Sequence, residues 1–286
     1  MTSLLTSARE TFHDTLIESG VLGLDANGVA TNADKDQRTS RQIAADIAEQ
    51  LGVRPGLRLA GQSSGKLFED AVRAFLDTTM PLFPMLRPGK WRVENVGGKR
   101  RLYHLARYEP YLHLDDLARA IEKDRTLEAA LGNAYNVSPD VLVVRAPETD
   151  VFINQAETLV DLEHGRKAVI REVNNPAPIV HAVVSCKWTM RSDRSQNSRA
   201  EALNIIRNRK GRTPHIAVVA GEPTPSRLSS LALGTGDIDT IYHFAMPELI
   251  KAVDASGNDE AQEMLRTLIE GKRLRDISDL PLDLTV

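Results

Sequence analysis

Two short groups of residues flank neighbouring apolar runs and carry side chains suited to phosphate chemistry. Pro139-Asp140 begins one run, and Ser185-Cys186-Lys187 ends the next. Because magnesium prefers hard oxygen ligands, often one or two carboxylates together with substrate phosphate, Asp140 is a candidate metal ligand. A lysine beside that metal can orient or deprotonate a water molecule and stabilise charge developing on phosphate. If these runs form adjacent strands, Asp140 and Lys187 meet at one edge of the sheet.

Two glutamates on predicted helices are candidates to join this site. Glu201 lies fourteen residues beyond Lys187 and flanks the apolar arc of its helix, at about 100° per residue. Glu69 borders the apolar arc of an earlier helix, whereas Asp70 is expected to face solvent. Each glutamate also has a simpler interpretation. Ser198-Arg-Ala-Glu201 fits a capping box, and Glu69 fits a solvated residue at the border of its helix.

A charged cluster joins the second run directly to the following helix. It reads Lys187-Trp-Thr-Met-Arg191-Ser-Asp193-Arg194. Arginine can donate two hydrogen bonds to guanine O6 and N7, and aspartate can accept one from cytosine N4. At a helix N-terminus, backbone N–H groups and the helix dipole also favour phosphate. The alternative is a solvated cluster whose charges pair with one another.

The elements that position these residues follow from the hydrophobic pattern. Apolar, β-branched runs predict strands buried on both faces at 141–144, 179–184 and 216–219, with a weaker one at 240–244 and a short strand at 91–96. Helices are predicted at 63–82, 112–131 and about 195–209, and at both ends of 1–51 around a polar loop at 26–37. Long connections are predicted at 148–175 and 222–238.

This order of elements predicts an α/β fold: a mixed β-sheet flanked by helices on both faces. No internal repeat or low-complexity linker divides the chain. Residues 1–286 are therefore interpreted as a single catalytic and recognition domain with peripheral N-terminal and C-terminal helices.

Composition and charge exclude several functional classes. A single cysteine, Cys186, excludes an intramolecular disulfide and disfavours a cysteine zinc site, and the seven histidines lack metal-ligand spacing. No run of about 18 apolar residues predicts a membrane span, and the first residues do not resemble a signal peptide, so we expect a cytoplasmic protein. Residues 61–67 resemble a nucleotide-binding loop, but the glycine spacing is one residue short and Leu67 replaces the magnesium-binding Ser or Thr.

The net charge of −3 conceals a basic segment. Residues 187–212 contain eight basic and two acidic residues, whereas 246–286 contain five basic and nine acidic residues. A local positive surface on a mildly acidic protein is compatible with a DNA-binding cleft.

Taken together, these motifs resemble the PD-(D/E)XK restriction endonucleases of the CCGG-core subgroup. The residues that carry the resemblance are Ser185-Cys-Lys187, Arg191-Ser-Asp193-Arg194 and Glu201. In that subgroup the acidic residue two positions before the lysine is replaced, here by Ser185, and a glutamate on the following helix takes its place. The resemblance extends over the whole chain and implies a restriction-endonuclease-like core.

The resemblance also implies residue roles. Asp140, Glu201 and the backbone carbonyl of Cys186 would bind metal, Lys187 would position the attacking water, and Glu69 would be an auxiliary acid. Base recognition would involve Arg191 and Arg194 on guanines and Asp193 on cytosines. For the outer base pair the candidates are Arg227, in a proline-rich loop, and Asp34, in the polar N-terminal loop, with Gln62 a candidate for the minor groove. The alternative for these last three is ordinary loop polarity.

The activity implied is Mg²⁺-dependent cleavage of double-stranded DNA at GCCGGC, before the first C of the CCGG core. The products would carry 5′-phosphates and four-base 5′ overhangs. The implied assembly is a homotetramer made of two dimers, working beside a cognate DNA methyltransferase. Three alternatives stay open: a structure-specific repair or junction-resolving nuclease of the same fold, a non-catalytic DNA-binding protein, and an α/β protein with an accidental charge cluster.

Overall fold

In the computed structural model, the described residues are 2–54, 61–96, 105–124, 126, 127, 129, 139–190 and 192–286; within them, the side chains of 61–63 and 192–196 are not described. They form a six-stranded sheet in the order β1-β2-β3-β4-β5-β6. The strands are β1 Trp91–Asn95, β2 Val141–Arg145, β3 Ile179–Lys187, β4 His215–Ala220, β5 Thr240–His243 and β6 Leu274–Asp276. The predicted mixed sheet is confirmed, because β1, β2 and β3 pair antiparallel and β3 to β6 pair parallel.

The central strands are buried on both faces. Every residue of 141–144, and all seven residues between the ends of β3, are buried, although side chains alternate between the faces of a strand. The long apolar β-branched runs therefore form strands that are packed against other elements on both faces of the sheet, as the sequence predicts. Helix α3, Gly61–Thr79, packs against β1, β2 and β3.

Nine further α-helices have both ends described, in addition to the helical residues 126, 127 and 129. They are α1 Leu4–Glu18, α2 Arg38–Gln50, α4 His113–Ile121, α5 Asp150–Ile153, α6 Ser192–Asn208, α7 Pro225–Ala232, α8 Met246–Ala255, α9 Asp259–Glu270 and α10 Leu280–Asp283. Three short 3₁₀ turns span Met80–Leu82, Leu105–Arg107 and Ile277–Asp279. The helices at both ends of 1–51, with a loop between them, are confirmed.

Three predicted elements differ from the structure. The helix predicted at 112–131 is interrupted: α4 ends at Ile121, the Asp124 carboxylate accepts the backbone N–H of Thr126, and residues 126, 127 and 129 are again helical. The connection predicted at 222–238 contains α7, because Pro225 stands at the first helical position, where its missing N–H is tolerated. Helix α6 begins at Ser192 rather than about residue 195. Within the described ranges, none of the helices is long and apolar enough to cross a membrane.

Topology brings the predicted motifs to one edge of the sheet. Val141 pairs with Val184 in the antiparallel β2–β3 ladder, so the next two residues at that edge, Asp140 and Ser185, lie side by side. Lys187 pairs with Ala220 in the parallel β3–β4 ladder, so both strands end at the same edge. The segments that follow them, 188–190 and 221–224, therefore leave the sheet together.

Candidate active site

Asp140 and Lys187 meet at this edge, as the sequence predicts. The Asp140 Oδ2 atom accepts hydrogen bonds from the Cys186 backbone N–H at 2.7 Å and from the Lys187 ammonium at 3.2 Å. Ser185 Oγ lies 3.4 Å from the same atom. Both charged side chains are only partly exposed. A carboxylate and an ammonium group are thus fixed together by the strand ends rather than by flexible loops.

Glu201 completes the charge cluster from helix α6. Burial raises the pKa of its carboxyl to about 7, the neighbouring Asp140 adds to the rise, and Lys187 opposes it. The capping-box interpretation of Ser198 and Glu201 is wrong, because the helix begins six residues before Ser198. Glu201 is therefore an interior helical residue that faces the charges at the sheet edge.

The same charges keep Lys187 protonated. Burial lowers the pKa of the Lys187 ammonium, but Asp140 and Glu201 outweigh it, and the pKa lies above its ordinary value. A lysine held in its charged form can orient water and stabilise negative charge, whereas it is a poor proton acceptor near neutral pH. Of the two lysine chemistries predicted from the sequence, the geometry favours the electrostatic one.

Helix α3 brings Glu69 to the same place. Its side chain is 22% exposed, against 43% for Asp70, and it lines the cleft above the sheet edge. Burial and the nearby Asp140 raise the pKa of Glu69 to about 6, while Lys66 and Lys187 lower it. Asp70 instead accepts hydrogen bonds from Lys66 and Asn95. Of these two carboxylates, Glu69 lines the cleft and Asp70 does not.

The donor set suits a hard divalent cation. Glu69, Asp140 and Glu201 surround one lysine, and repulsion from Asp140 contributes to the raised pKa of both glutamates. Among the described residues, no three His, Cys, Asp or Glu side chains are already grouped to hold a metal ion. A cation here would therefore be held by one or two carboxylates with backbone oxygen and water, which is the coordination Mg²⁺ prefers. The buried Cys186 thiol, whose pKa burial raises well above its ordinary value, is not a ligand candidate.

A single open cleft of about 900 Å³ joins this cluster to the predicted recognition residues. Asp34, Glu69, Asp140, Lys187 and Arg227 all line it. Asp34 and Arg227, which are 193 positions apart in sequence, form an ion pair within the cleft lining. Arg227 lies in the first turn of α7, so its predicted place in a loop is wrong, whereas Asp34 does lie in the N-terminal loop.

Part of the predicted recognition cluster lies outside the described residues. Arg191 is among these, and of Gln62, Asp193 and Arg194 only the backbone is described. Gln62 lies in the first turn of α3, and Asp193 and Arg194 lie in the first turn of α6 rather than ahead of it. The predicted association of this cluster with a helix N-terminus is confirmed for the backbone.

Sequence reasoning missed two buried residues beneath the cleft. Glu222, two residues after the end of β4, accepts a hydrogen bond from the backbone N–H of Met190, and Asn32 donates one to the Gly221 carbonyl. A charged residue shortly after a buried β-branched run was the available signal for Glu222. No sequence pattern signals Asn32, because its partner lies 189 positions away.

Comparisons with known proteins identify the family. The family model described as NgoMIV restriction enzyme matches residues 12–286. The chain is 46% identical over 287 residues to the type II restriction enzyme NgoMIV of Neisseria gonorrhoeae, covering 100% of both chains. Among solved structures, Bse634I with cognate DNA is 14% identical, with a TM-score of 0.38 over 86% of this chain and 92% of that chain. The complex of restriction endonuclease PspGI with substrate DNA is 12% identical, with a TM-score of 0.26 over 98% and 91%.

The family model and the full-length relative decide the assignment, and the sheet and cluster described above agree with it. The predicted α/β restriction-endonuclease-like fold is confirmed. The chain therefore belongs to the NgoMIV restriction enzyme family and is a type II restriction endonuclease, a site-specific deoxyribonuclease.

Proposed function

We propose that this enzyme binds double-stranded DNA at GCCGGC and hydrolyses it with Mg²⁺ before the first C of the CCGG core, leaving 5′-phosphates and four-base 5′ overhangs. The observation that carries the proposal is the Asp140–Lys187 contact in a cleft that Arg227 and Asp34 also line. A cleft that holds groups suited to phosphate chemistry together with an arginine and an aspartate suits cleavage coupled to base reading.

In the proposed mechanism, Asp140 and Glu201 hold Mg²⁺, and the Cys186 carbonyl adds a backbone oxygen. Bound Mg²⁺ supplies Lewis-acid stabilisation of charge at the scissile phosphate. The Lys187 ammonium orients the attacking water and stabilises charge on the phosphate oxygens. Ser185 occupies the position that is acidic in other members of the fold, and its hydroxyl lies toward Asp140 instead. Glu69 is an auxiliary acid facing the same phosphate.

For base recognition, we assign guanine contacts to Arg191 and Arg194 and cytosine contacts to Asp193. Arg227 and Asp34 read the outer G·C pair, and their ion pair supports this by holding a guanine donor and a cytosine acceptor side by side. We assign Gln62 to the minor groove. GCCGGC reads the same on both strands. Two copies of the chain, each reading one half-site, therefore account for the palindrome.

We further propose that the 286 residues form one domain and that four copies assemble as two dimers. One continuous core cluster supports the single domain. Assembly is supported by the segment between β2 and β3, which carries six of the thirteen large hydrophobic residues that are exposed in the described chain: Val151, Phe152, Leu159, Leu162, Val169 and Val173. Exposed apolar side chains concentrated in one segment make it the candidate interaction surface. The enzyme would act in the cytoplasm beside a DNA methyltransferase that protects the same site.

Digestion of a plasmid of known sequence, followed by mapping of the cut ends, tests the function. With Mg²⁺ we expect one invariant hexamer, GCCGGC, and loss of cleavage in Asp140→Ala and Lys187→Ala. Asp77→Ala is the matched control, because Asp77 is an exposed carboxylate further along α3 and should leave cleavage unchanged. Full activity in either site variant would contradict the catalytic assignment, and cuts that follow DNA structure rather than sequence would contradict the recognition assignment.

A further inference from the structure

Glu222 is a buried carboxylate that neither the proposed metal site nor the proposed base contacts use. It follows β4 and is 1% exposed. Its Oε1 atom accepts hydrogen bonds from the Thr224 backbone N–H at 3.1 Å and from the Thr224 hydroxyl. Its Oε2 atom accepts the Met190 backbone N–H at 3.2 Å. Charged residues are rarely this buried unless they are paired, so the partners of Glu222 indicate what the charge does.

Those partners converge on Arg227. The Glu222 carboxylate lies 3.8 Å from the Arg227 guanidinium, and the same guanidinium nitrogen donates to the Met190 carbonyl at 3.0 Å. Glu222 therefore holds the Met190 peptide segment by its N–H, while Arg227 holds it by its carbonyl. The other terminal nitrogen of Arg227 reaches Asp34. The guanidinium is thus oriented from three directions, two of which depend directly on Glu222 or on the residue it binds.

Three separate chain segments meet at this point. The Asn32 amide donates to the Gly221 carbonyl at 2.7 Å, which ties the N-terminal loop to the end of β4. Met190 directly precedes Arg191 in the recognition cluster, and Thr224 precedes the helix that carries Arg227. The carboxylate of Glu222 hydrogen-bonds to both of these segments and so fixes their relative orientation, because moving either one leaves the buried charge unsatisfied.

We propose that Glu222 is a positioning residue for sequence discrimination: it orients Arg227 toward the outer base pair by pairing with the guanidinium and by fixing the Met190 carbonyl that Arg227 also binds. The inference rests on the proposed role of Arg227. Glu222 itself touches neither the DNA nor the scissile phosphate in this assignment.

The test compares cleavage rates on cognate DNA and on a duplex with only the outer base pair changed, using wild type and Glu222→Gln. Glutamine keeps the size but removes the charge beside Arg227 and places an amide near one of the N–H donors. We expect the cognate-to-variant ratio to fall at least about fivefold, the lower end of what one bidentate side-chain–base contact supplies. Asp276→Asn is the matched control, because Asp276 is also a buried, hydrogen-bonded carboxylate but binds Arg9, Met246 and Ser278, none of which lines the cleft; its ratio should stay unchanged.

A double-mutant cycle separates orientation of Arg227 from a general structural role. Because Glu222 acts through Arg227, Glu222→Gln combined with Arg227→Ala should discriminate no worse than Arg227→Ala alone. Independent, multiplying losses would overturn the proposal. If Glu222→Gln fails to fold, Thr224→Val replaces it in the test. This variant removes one hydroxyl donor to Glu222 and should also lower the cognate-to-variant ratio.

Mapping wild-type cleavage first keeps the two proposals distinct. A wild type without a preferred hexamer overturns the proposed function together with this inference. If the wild type prefers GCCGGC but the ratio is unchanged in Glu222→Gln, only the role of Glu222 is overturned. The same conclusion follows from an unchanged ratio in Thr224→Val where Glu222→Gln does not fold.

Discussion

Replacing Glu201 with glutamine tests whether the acidic cluster destabilises the folded protein. Burial raises the pKa of Glu201 to about 7 from an ordinary 4.5, with Asp140 adding to the rise and Lys187 opposing it. That difference corresponds to about 3 kcal/mol, at about 1.4 kcal/mol for each unit of pKa. The ionised carboxylate is therefore held in the folded site at a free-energy cost of this order.

The sign of the pH dependence follows from which state holds the proton. Without metal, the folded protein keeps the Glu201 proton up to about pH 7, whereas the unfolded chain releases it near pH 4.5. The folded state binds more protons in this window, so the free energy of unfolding falls as pH rises through it. Glutamine does not titrate. The stability of Glu201→Gln relative to wild type should therefore increase by up to about 3 kcal/mol between pH 4.5 and pH 8.

Urea denaturation of both proteins in EDTA, at several pH values in this range, measures the difference. Glu263→Gln, which replaces an exposed glutamate, should show no such trend. Mg²⁺ added at pH 8 should stabilise wild type more than the variant, because a ligand that binds only the folded state stabilises it. A stability difference that does not change with pH would refute the reasoning about burial and charge at this site.

Two further substitutions test the support of the site and its assembly. Gly221→Ala should lower the free energy of unfolding, measured by urea denaturation, by roughly 1–3 kcal/mol, because a Cβ there would lie 2.8 Å from the Trp188 backbone oxygen. Gly65→Ala, which adds a Cβ in open space on α3, should not destabilise the protein, and equal effects would contradict this packing argument. Leu162→Asp should lower the mass measured by light scattering without loss of folding, and Leu4→Asp, equally apolar and exposed but outside the β2–β3 segment, should not; an unchanged mass for Leu162→Asp would contradict assembly through that segment.

The strands and the catalytic pair were predictable because their signals are local. Continuous β-branched runs are costly to expose, so 141–144, 179–184 and 216–219 had to become buried strands. Once those strands are neighbours, the antiparallel register of β2 and β3 leaves Asp140 beside Cys186 and Lys187. The prediction therefore needed only strand identity and adjacency.

Features without a local sequence signal, or with partners that are distant in sequence, were not predictable in the same way. The first turn of α6 is polar and lacks an apolar repeat, so its start at Ser192 was missed by three residues. Helix α7 was missed because Pro223 and Pro225 favoured a loop. Strand β6, Leu274–Asp276, is three residues long and gains its hydrogen bonds from β5, which lies more than thirty positions earlier. Glu222 is the clearest case, because Met190 and Arg227 become its neighbours only after the sheet has formed.

Without DNA, the two cationic side chains that we assign to DNA contacts in the cleft are already in ion pairs. Lys187 faces Asp140, and Arg227 faces Asp34. DNA binding is therefore an exchange of partners rather than the capture of free charges, and its gain in free energy is the difference between two paired states. In the proposed reading of the outer base pair, Arg227 would stay with Asp34 at a wrong pair, and non-cognate DNA would lose the base contact. At the correct pair both residues would find partners on the bases, so discrimination would depend on how closely the guanidinium is already oriented toward the guanine edge. A buried carboxylate that fixes this orientation then affects sequence preference without contacting DNA.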